Sequence, residues 1–162
     1  MHIILSFECK AFRSFVQEFS NQSMLYPKEV IEKTRAWMEG DNHAKAWLQD
    51  HNYEELVHLK KAVSGYPKAL EYLLVHKHFV LAAFANAIWE DKKAFKILMD
   101  KKEFHWAAMA NYINGDDNAA AFLTKNNLKH YAELAQKIQE KIRKEGDEGT
   151  NFFNSGPFKI GN

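Results

Sequence analysis

The sequence predicts an all-α fold: an α-α superhelix, or solenoid, of short helical hairpins that repeat every 25 residues behind an N-terminal capping helix. Three observations predict it. Apolar side chains recur in columns 25 residues apart, two helical faces alternate within each period, and Gly, Pro and Asp separate the periods. Four copies align without gaps, at residues 40–64, 65–89, 90–114 and 115–139.

The first helix of each copy carries an alanine, followed by a large apolar residue and a leucine. In the third copy these are Ala94, Ile97 and Leu98. The spacing i, i+3, i+4 places all three on one helical face, and the small alanine lets a neighbouring helix approach closely. We therefore predict that this face is buried in every copy.

The second helix repeats an apolar face at spacing i, i+1, i+3 and i+7, which the third copy fills with Trp106, Ala107, Met109 and Ile113. In the second and third copies this helix is apolar nearly all round, whereas in the first and fourth it carries charge on one side. Interior repeats are sandwiched between neighbours, and terminal repeats face water. The pattern therefore predicts an array with two solvent-facing ends.

Residues that cap helices separate the copies. Gly40-Asp41 and Gly115-Asp116 supply a C-terminal cap followed by an N-terminal cap, and Pro67 suits the first position of a helix. The helices between these boundaries have only about two turns, and helices so short are not stable alone. The hairpins must therefore stack.

The copies belong to a single predicted domain, residues 1–144. Its leading part, 1–39, holds the capping helix and a half-repeat whose helix begins near Pro27. The last helix is expected to end near Lys144, and 145–162 form a Gly-rich tail. The tail either folds back over the last copy as a cap, which we favour, or docks onto another chain through Phe152, Phe153 and Phe158.

Composition restricts the partners. Lys plus Arg number 22 against 21 Asp plus Glu, so no strong net field favours nucleic acid or an anionic membrane. Cys9 is the only cysteine, which excludes a disulfide within the chain and fits a reducing compartment. No run approaches the roughly 18 apolar residues of a membrane span. We therefore expect a cytoplasmic protein, with no membrane partner and with nucleic acid disfavoured.

Catalytic motifs are absent from the sequence, which has no nucleophile elbow, phosphate-binding loop or zinc-protease signature. An E-x-x-H pattern from Glu55 to His58 is mirrored by His130 to Glu133. In a linear array these two would lie roughly 25–30 Å apart, because neighbouring helices pack about 8–10 Å apart. They should therefore not share a metal. The sequence predicts no catalytic residue, no cofactor and no enzyme activity.

The turn edge is the set of turns that join the two helices of each copy, and it is rich in His and Lys. Four side chains from adjacent copies could in principle bridge a zinc or similar ion: His76, His78, Glu103 and His105. Lysines along the same edge could contact an anion or an acidic partner: Lys77, Lys101, Lys102 and Lys125. A solvated edge without a ligand is the alternative that we favour for both sets.

A column of polar residues near the ends of the second helices includes Asn86 and Asn111, flanked by Lys61 and Gln136. A stacked ladder of amides could bind a peptide backbone. The alternative, which we favour, is that these side chains satisfy carbonyl groups left open at the helix ends.

The alanine, large apolar and leucine columns, together with stretches such as "LAAFANAI" at 81–88, resemble short α-helical repeats of the armadillo, HEAT and leucine-rich-variant kind. The resemblance covers residues 27–140 and implies an all-α solenoid with a binding role. We therefore predict a non-enzymatic protein–protein interaction or scaffold module whose partner is another protein or a peptide. The alternative is a binder of a metal ion, an anion or a nucleic acid through the turn edge.

Overall fold

A computed structural model describes residues 25–147, and over this range every regular element is an α-helix, which confirms the all-α class. The predicted capping helix and Cys9 lie outside the described residues, as do Phe152, Phe153 and Phe158 of the tail. The nine helices of the described range are α1 (Lys28–Met38), α2 (Asn42–Asp50), α3 (Glu54–Ala62), α4 (Pro67–Val75), α5 (Phe79–Ala87), α6 (Lys92–Asp100), α7 (Phe104–Ile113), α8 (Asp117–Lys125) and α9 (Lys129–Asp147).

The helix boundaries follow the predicted caps. Side-chain oxygens of Asp41, Asp91 and Asp116 accept hydrogen bonds from the first turns of α2, α6 and α8, and Pro67 opens α4. The last helix ends three residues later than the predicted Lys144. The turns at the two edges hold left-handed residues at matching positions of successive copies: Asn52, Lys77, Lys102 and Asn127 at one edge, and Gly40, Gly65, Glu90 and Gly115 at the other.

The second helix of each unit packs against the next one along the chain, so that α1, α3, α5, α7 and α9 are neighbours in that order; we call these the inner helices. The first helices, α2, α4, α6 and α8, each contact the two inner helices that flank them in sequence; we call these the outer helices. The inner helices run parallel, because their C-terminal parts lie side by side. The side chain of Asn114, directly after α7, donates to the carbonyl of Ala87 in α5, and the side chain of Gln139 in α9 donates to the carbonyl of Ile113 in α7.

The inner helices close on themselves, because α9 also packs against α1. The guanidinium of Arg35 lies 2.9 Å from Glu133, and the ammonium of Lys137 lies 3.1 Å from Glu39. The prediction of two solvent-facing ends is therefore wrong for the described residues. Charges on the last copy lie opposite charges on the half-repeat instead of facing bulk water. We call this α1–α9 contact the seam.

The core follows the predicted columns. The leucine column is fully buried in all four copies, and the alanine column is buried with it. The column that begins the inner helices is buried as well, and its members are Ile31, Leu56, Leu81, Trp106 and Tyr131. Leu134 and Ile138, which an array with a free end would leave for the tail to cover, are fully buried on a helix that packs against α1, α7 and α8.

None of the helices described between residues 25 and 147 combines the length and apolar character needed to cross a bilayer.

Candidate functional site

A cleft of about 250 Å³ opens at the turn edge, beside the starts of α5 and α7. Leu81 and Trp106 are buried side chains from the first turns of those two helices, and half-buried Tyr26 precedes α1. The Tyr26 and Trp106 rings meet edge to face with their centroids 6.3 Å apart. Since Tyr26 contacts Trp106 of the third copy from the other side of the seam, the cleft requires the closed arrangement.

The rim of the cleft combines exposed apolar and charged side chains. Phe79 lines it at the first position of α5 with 49% of its surface exposed, and Val75, at the end of α4, is 68% exposed. Lys77 and Lys101 line the same cleft from the two neighbouring turns, and both are exposed. The lining of the cleft therefore combines an exposed apolar side chain with two exposed ammonium groups.

The turn edge also exposes the starts of the inner helices. The first turns of α3, α5 and α7 have no side-chain cap from the described residues; their N-cap residues are Tyr53, His78 and Glu103. The opposite edge differs, because three outer helices there begin with an aspartate cap. Uncapped N–H groups and the helix macrodipole give the starts of these inner helices partial positive charge, while the outer helices that end in the same turns contribute partial negative charge.

A buried polar group lies behind the cleft, centred on Tyr26. Its hydroxyl donates to Glu55 Oε1 at 3.0 Å, and its backbone N–H donates to the hydroxyl of Tyr131 at 3.0 Å. Burial raises the pKa of Tyr26, and the nearby Glu55 carboxylate raises it further. Burial also raises the pKa of Tyr131. Both hydroxyls are therefore neutral: that of Tyr26 donates to Glu55 of α3, and that of Tyr131 of α9 accepts from the Tyr26 backbone, so Tyr26 joins the two helices.

This group corrects the sequence argument on the two E-x-x-H patterns. Glu55 of α3 contacts Tyr26, which contacts Tyr131 of α9, so a single residue bridges helices that we had expected to be three repeats apart. The linear spacing behind that argument is wrong, because α9 packs against α1 and the five inner helices form a closed ring.

His105 of α7 is only 3% exposed, and its ring meets that of Tyr131 edge to face at 5.0 Å. Burial lowers the pKa of His105 to about 3, so the ring is neutral at physiological pH. Its Nε2 lies 3.7 Å from Glu103 Oε2. Burial raises the pKa of Glu103, while Lys101 acts in the opposite direction. The pair is thus a contact between a neutral imidazole and a carboxylate.

The four residues predicted as a metal site do not form one cluster. Among residues 25–147 no three His, Cys, Asp or Glu side chains lie close enough to hold a metal ion. His76 stacks on Tyr72 with ring centroids 3.9 Å apart and places its Nδ1 2.9 Å from the Tyr72 carbonyl oxygen. Of the four, the cleft wall includes His78 and Glu103.

Two of the four predicted lysines line the cleft, and the other two do not. Lys77 and Lys101 line it. Lys102 and Lys125 are exposed elsewhere along the turn edge and do not line the cleft.

The amide column is not available to a peptide. Asn86 is 1% exposed and Asn111 is 7% exposed, so neither can present its side chain to a partner, and the prediction that they bind a peptide backbone is wrong. The favoured alternative is not met by Asn86 either, since its amide bonds to no described group. The carbonyls at the ends of α3, α5 and α7 instead accept hydrogen bonds from side chains three residues after the amide column. These are Trp89, Asn114 and Gln139.

Sequence reasoning missed Val75 and Phe79, although a signal was present. The residues aligned with Val75 in the other copies are Asp50, Asp100 and Lys125, and Phe79 aligns with Glu54 and Lys129 in the first and fourth copies. Val75 is apolar where the other three copies carry charge, and Phe79 is apolar where two of them do; exposed apolar residues at such positions indicate a binding surface. Tyr26 lies outside the aligned copies, so periodicity could not place it in the cleft.

Comparisons with protein-family models, with curated proteins and with solved structures find no match to this chain. The functional interpretation therefore depends on the geometry of the cleft and its rim.

Proposed function

We propose that the chain is a non-enzymatic protein–protein interaction module of the cytoplasm, built from 25-residue helical hairpins that stack as a closed α-α superhelix. The single observation that carries the proposal is the exposed Phe79 in the lining of the cleft, with the exposed Val75 four residues before it in the chain. Exposed apolar residues concentrated beside a concave surface are typical of sites that a partner covers.

The size of the cleft supports a peptide side chain as the occupant. Pockets for drug-sized ligands and cofactors span about 300–1,000 Å³ and enclose most of the ligand. At about 250 Å³ this cleft is smaller. An anchor residue from a partner segment suits such a volume, and the rest of the segment would lie across the exposed rim.

The ionisable groups near the cleft support a binding role over catalysis. His105 is buried and neutral, and the Glu55 carboxylate already accepts the hydroxyl of Tyr26. General acid–base catalysis needs a group that can reach the substrate with its pKa near the working pH. His105 does not meet that requirement, because its ring is buried and its pKa is about 3.

A peptide-display experiment tests the proposal. The full chain is immobilised and panned against random peptides, in parallel with the variant Phe79→Ser. We expect the wild-type chain to enrich a consensus that the variant does not enrich, because the variant removes the apolar rim.

Tyr66→Ser provides the matched control, since Tyr66 is another exposed aromatic side chain, 40% exposed, at the opposite edge. The control should retain the consensus. Equal loss in both variants, or a consensus that survives Phe79→Ser, would contradict this location for the binding site.

A further inference from the structure

We infer that the partner segment is acidic: an apolar side chain enters the cleft, and adjacent Asp or Glu residues pair with Lys77 and Lys101. This inference rests on the proposed function and names the chemistry of its partner. Lys77 and Lys101 come from successive copies and line the same cleft, so one bound segment can reach both.

The acids near the rim compensate this positive charge only in part: Lys101 acts on Glu103 of the cleft wall and opposes the effect of burial on the pKa of that carboxyl. Asp100, adjacent to Lys101, pairs with Lys96 one helical turn away at 2.5 Å. The single carboxylate of the cleft wall, within the described residues, is Glu103, whose side chain is 14% exposed. An acidic segment therefore meets two exposed ammonium groups and one mostly buried carboxylate.

The two helix starts beside the cleft contribute partial positive charge, which the ends of α4 and α6 in the same turns offset in part. The starts of α5 and α7 adjoin the cleft without side-chain caps from described residues, and their macrodipoles are positive at this end. At the opposite edge aspartates cap the starts of α2, α6 and α8, whereas α4 begins there after Tyr66 without a side-chain cap.

Nucleic acid would suit this surface less well. Proteins that bind single strands combine a charged groove along the backbone with several aromatic side chains on which bases stack. Here Phe79 is the exposed aromatic ring of the rim and Trp106 is buried in the floor, so the described lining offers one exposed ring for stacking. A short acidic peptide with one apolar anchor matches this arrangement better.

The test continues from the display experiment, with the full chain panned at low salt against random peptides of about twelve residues. We expect the enriched peptides to carry an aromatic or aliphatic residue within a few positions of two or more Asp or Glu. A synthetic copy of the most enriched peptide should bind about tenfold more weakly to the double variant Lys77→Glu, Lys101→Glu. Its affinity for the wild-type chain should also fall as NaCl rises from about 0.05 to 0.5 M.

The matched control is the double variant Lys68→Glu, Lys93→Glu. It makes the same change in net charge at exposed residues of the opposite edge, and far-UV circular dichroism checks the helix content of both variants. The control should change the affinity less than threefold or so, through long-range charge alone. Equal weakening in the two double variants would overturn the inference.

The outcomes separate the inference from the proposed function. Enriched peptides that are neutral or basic, and that Phe79→Ser still fails to bind, would overturn the acidic partner and leave the interaction module in place. If no peptide is enriched, both fail. If the chain binds fluorescent polyuridine RNA tightly and the double variant Lys77→Glu, Lys101→Glu does not, the partner is a nucleic acid and the inference is overturned. If the chain forms concentration-dependent dimers that Phe79→Ser abolishes, the partner is a second copy of the chain and the inference is likewise overturned.

Discussion

Replacing Asn86 with leucine should stabilise the protein. Asn86 is 1% exposed near the end of α5, and neither its Nδ2 nor its Oδ1 has a hydrogen-bond partner among the described residues. A buried polar group without a partner costs about 1–3 kcal/mol, because its bonds to water are lost and not replaced. Leucine has a similar size and removes this cost.

We therefore expect Asn86→Leu to raise the free energy of unfolding by about 1–3 kcal/mol. Each kcal/mol should raise the melting temperature by about 2–4 °C in a chain of this length. Urea denaturation followed by far-UV circular dichroism measures the change, with a thermal melt as a second readout.

Two variants control the experiment. Asn86→Asp keeps the shape of the side chain but buries a charge, and it should be strongly destabilising. Gln136→Leu changes the aligned but exposed position of α9 and should alter the stability by no more than about 0.5 kcal/mol. If Asn86→Leu were destabilising by more than about 1 kcal/mol while Gln136→Leu stayed neutral, the amide would have to bond to a buried water molecule, and the reasoning would be refuted.

Three further predictions concern the core, the seam and the pH dependence. In a urea melt Leu98→Ala should lower the free energy of unfolding by about 2–5 kcal/mol, because Leu98 is fully buried. Glu133→Ala removes a partly exposed ion pair and should lower it by about 1 kcal/mol or less. Equal losses in the two variants would contradict the assigned core. His105 has a pKa of about 3 in the folded protein and is therefore neutral there. The free energy of unfolding should fall as the pH drops below about 6.5, by up to about 1.4 kcal/mol per pH unit, because the unfolded chain then binds the proton more tightly. In urea melts of His105→Phe the free energy of unfolding should depend less steeply on pH. Absorbance at alkaline pH should show Tyr26 and Tyr131 ionising above the usual tyrosine range of about 10, with stability lost as the pH rises beyond it; six tyrosines ionising together without unfolding would contradict their burial.

The helices could be predicted from the sequence because each copy repeats the same local information. The columns through Leu98 and Trp106 identified buried faces, and the Asp41 and Asp116 caps marked helix starts to within a residue or two. These features depend on neighbours three or four residues away, and a periodic pattern records such neighbours directly.

The closure of the ring could not be predicted in the same way. Curvature is the sum of a small rotation between successive repeats, and no single column of residues specifies that angle. A usable signal lay in the charges: Arg35 on α1 and Glu39 directly after it are spaced by four residues, and so are their partners Glu133 and Lys137 on α9. The alignment of copies hid this match, because it compares equivalent positions and not opposing ones.

The candidate site was only partly predictable for the same reason. The turn edge and its lysines were placed correctly, since each turn follows from the period. The cleft additionally needs Tyr26, which reaches Trp106 only because α1 returns to α9. The burial of Asn86 also depends on packing between helices, whereas sequence spacing shows only that it shares a face with other residues of α5.

The seam connects the stability of the fold to the presence of the site. Among the described helices, no outer helix packs against both α1 and α9, unlike every other pair of neighbouring inner helices. Most of the side chains in the ion pairs of the seam are more than a third exposed. Pairs so exposed are worth about 0–1 kcal/mol each, so they can set the register of α1 against α9 but supply little of the closing energy. That energy must come from the apolar residues that the two helices bury, Val30 and Ile31 on α1 and Leu134 and Ile138 on α9. Opening the seam would expose these side chains and separate Tyr26 from Tyr131, and the cleft would lose one wall. A segment bound in the cleft against Tyr26 therefore binds only the closed ring, and its binding energy must add to the stability of the closed form.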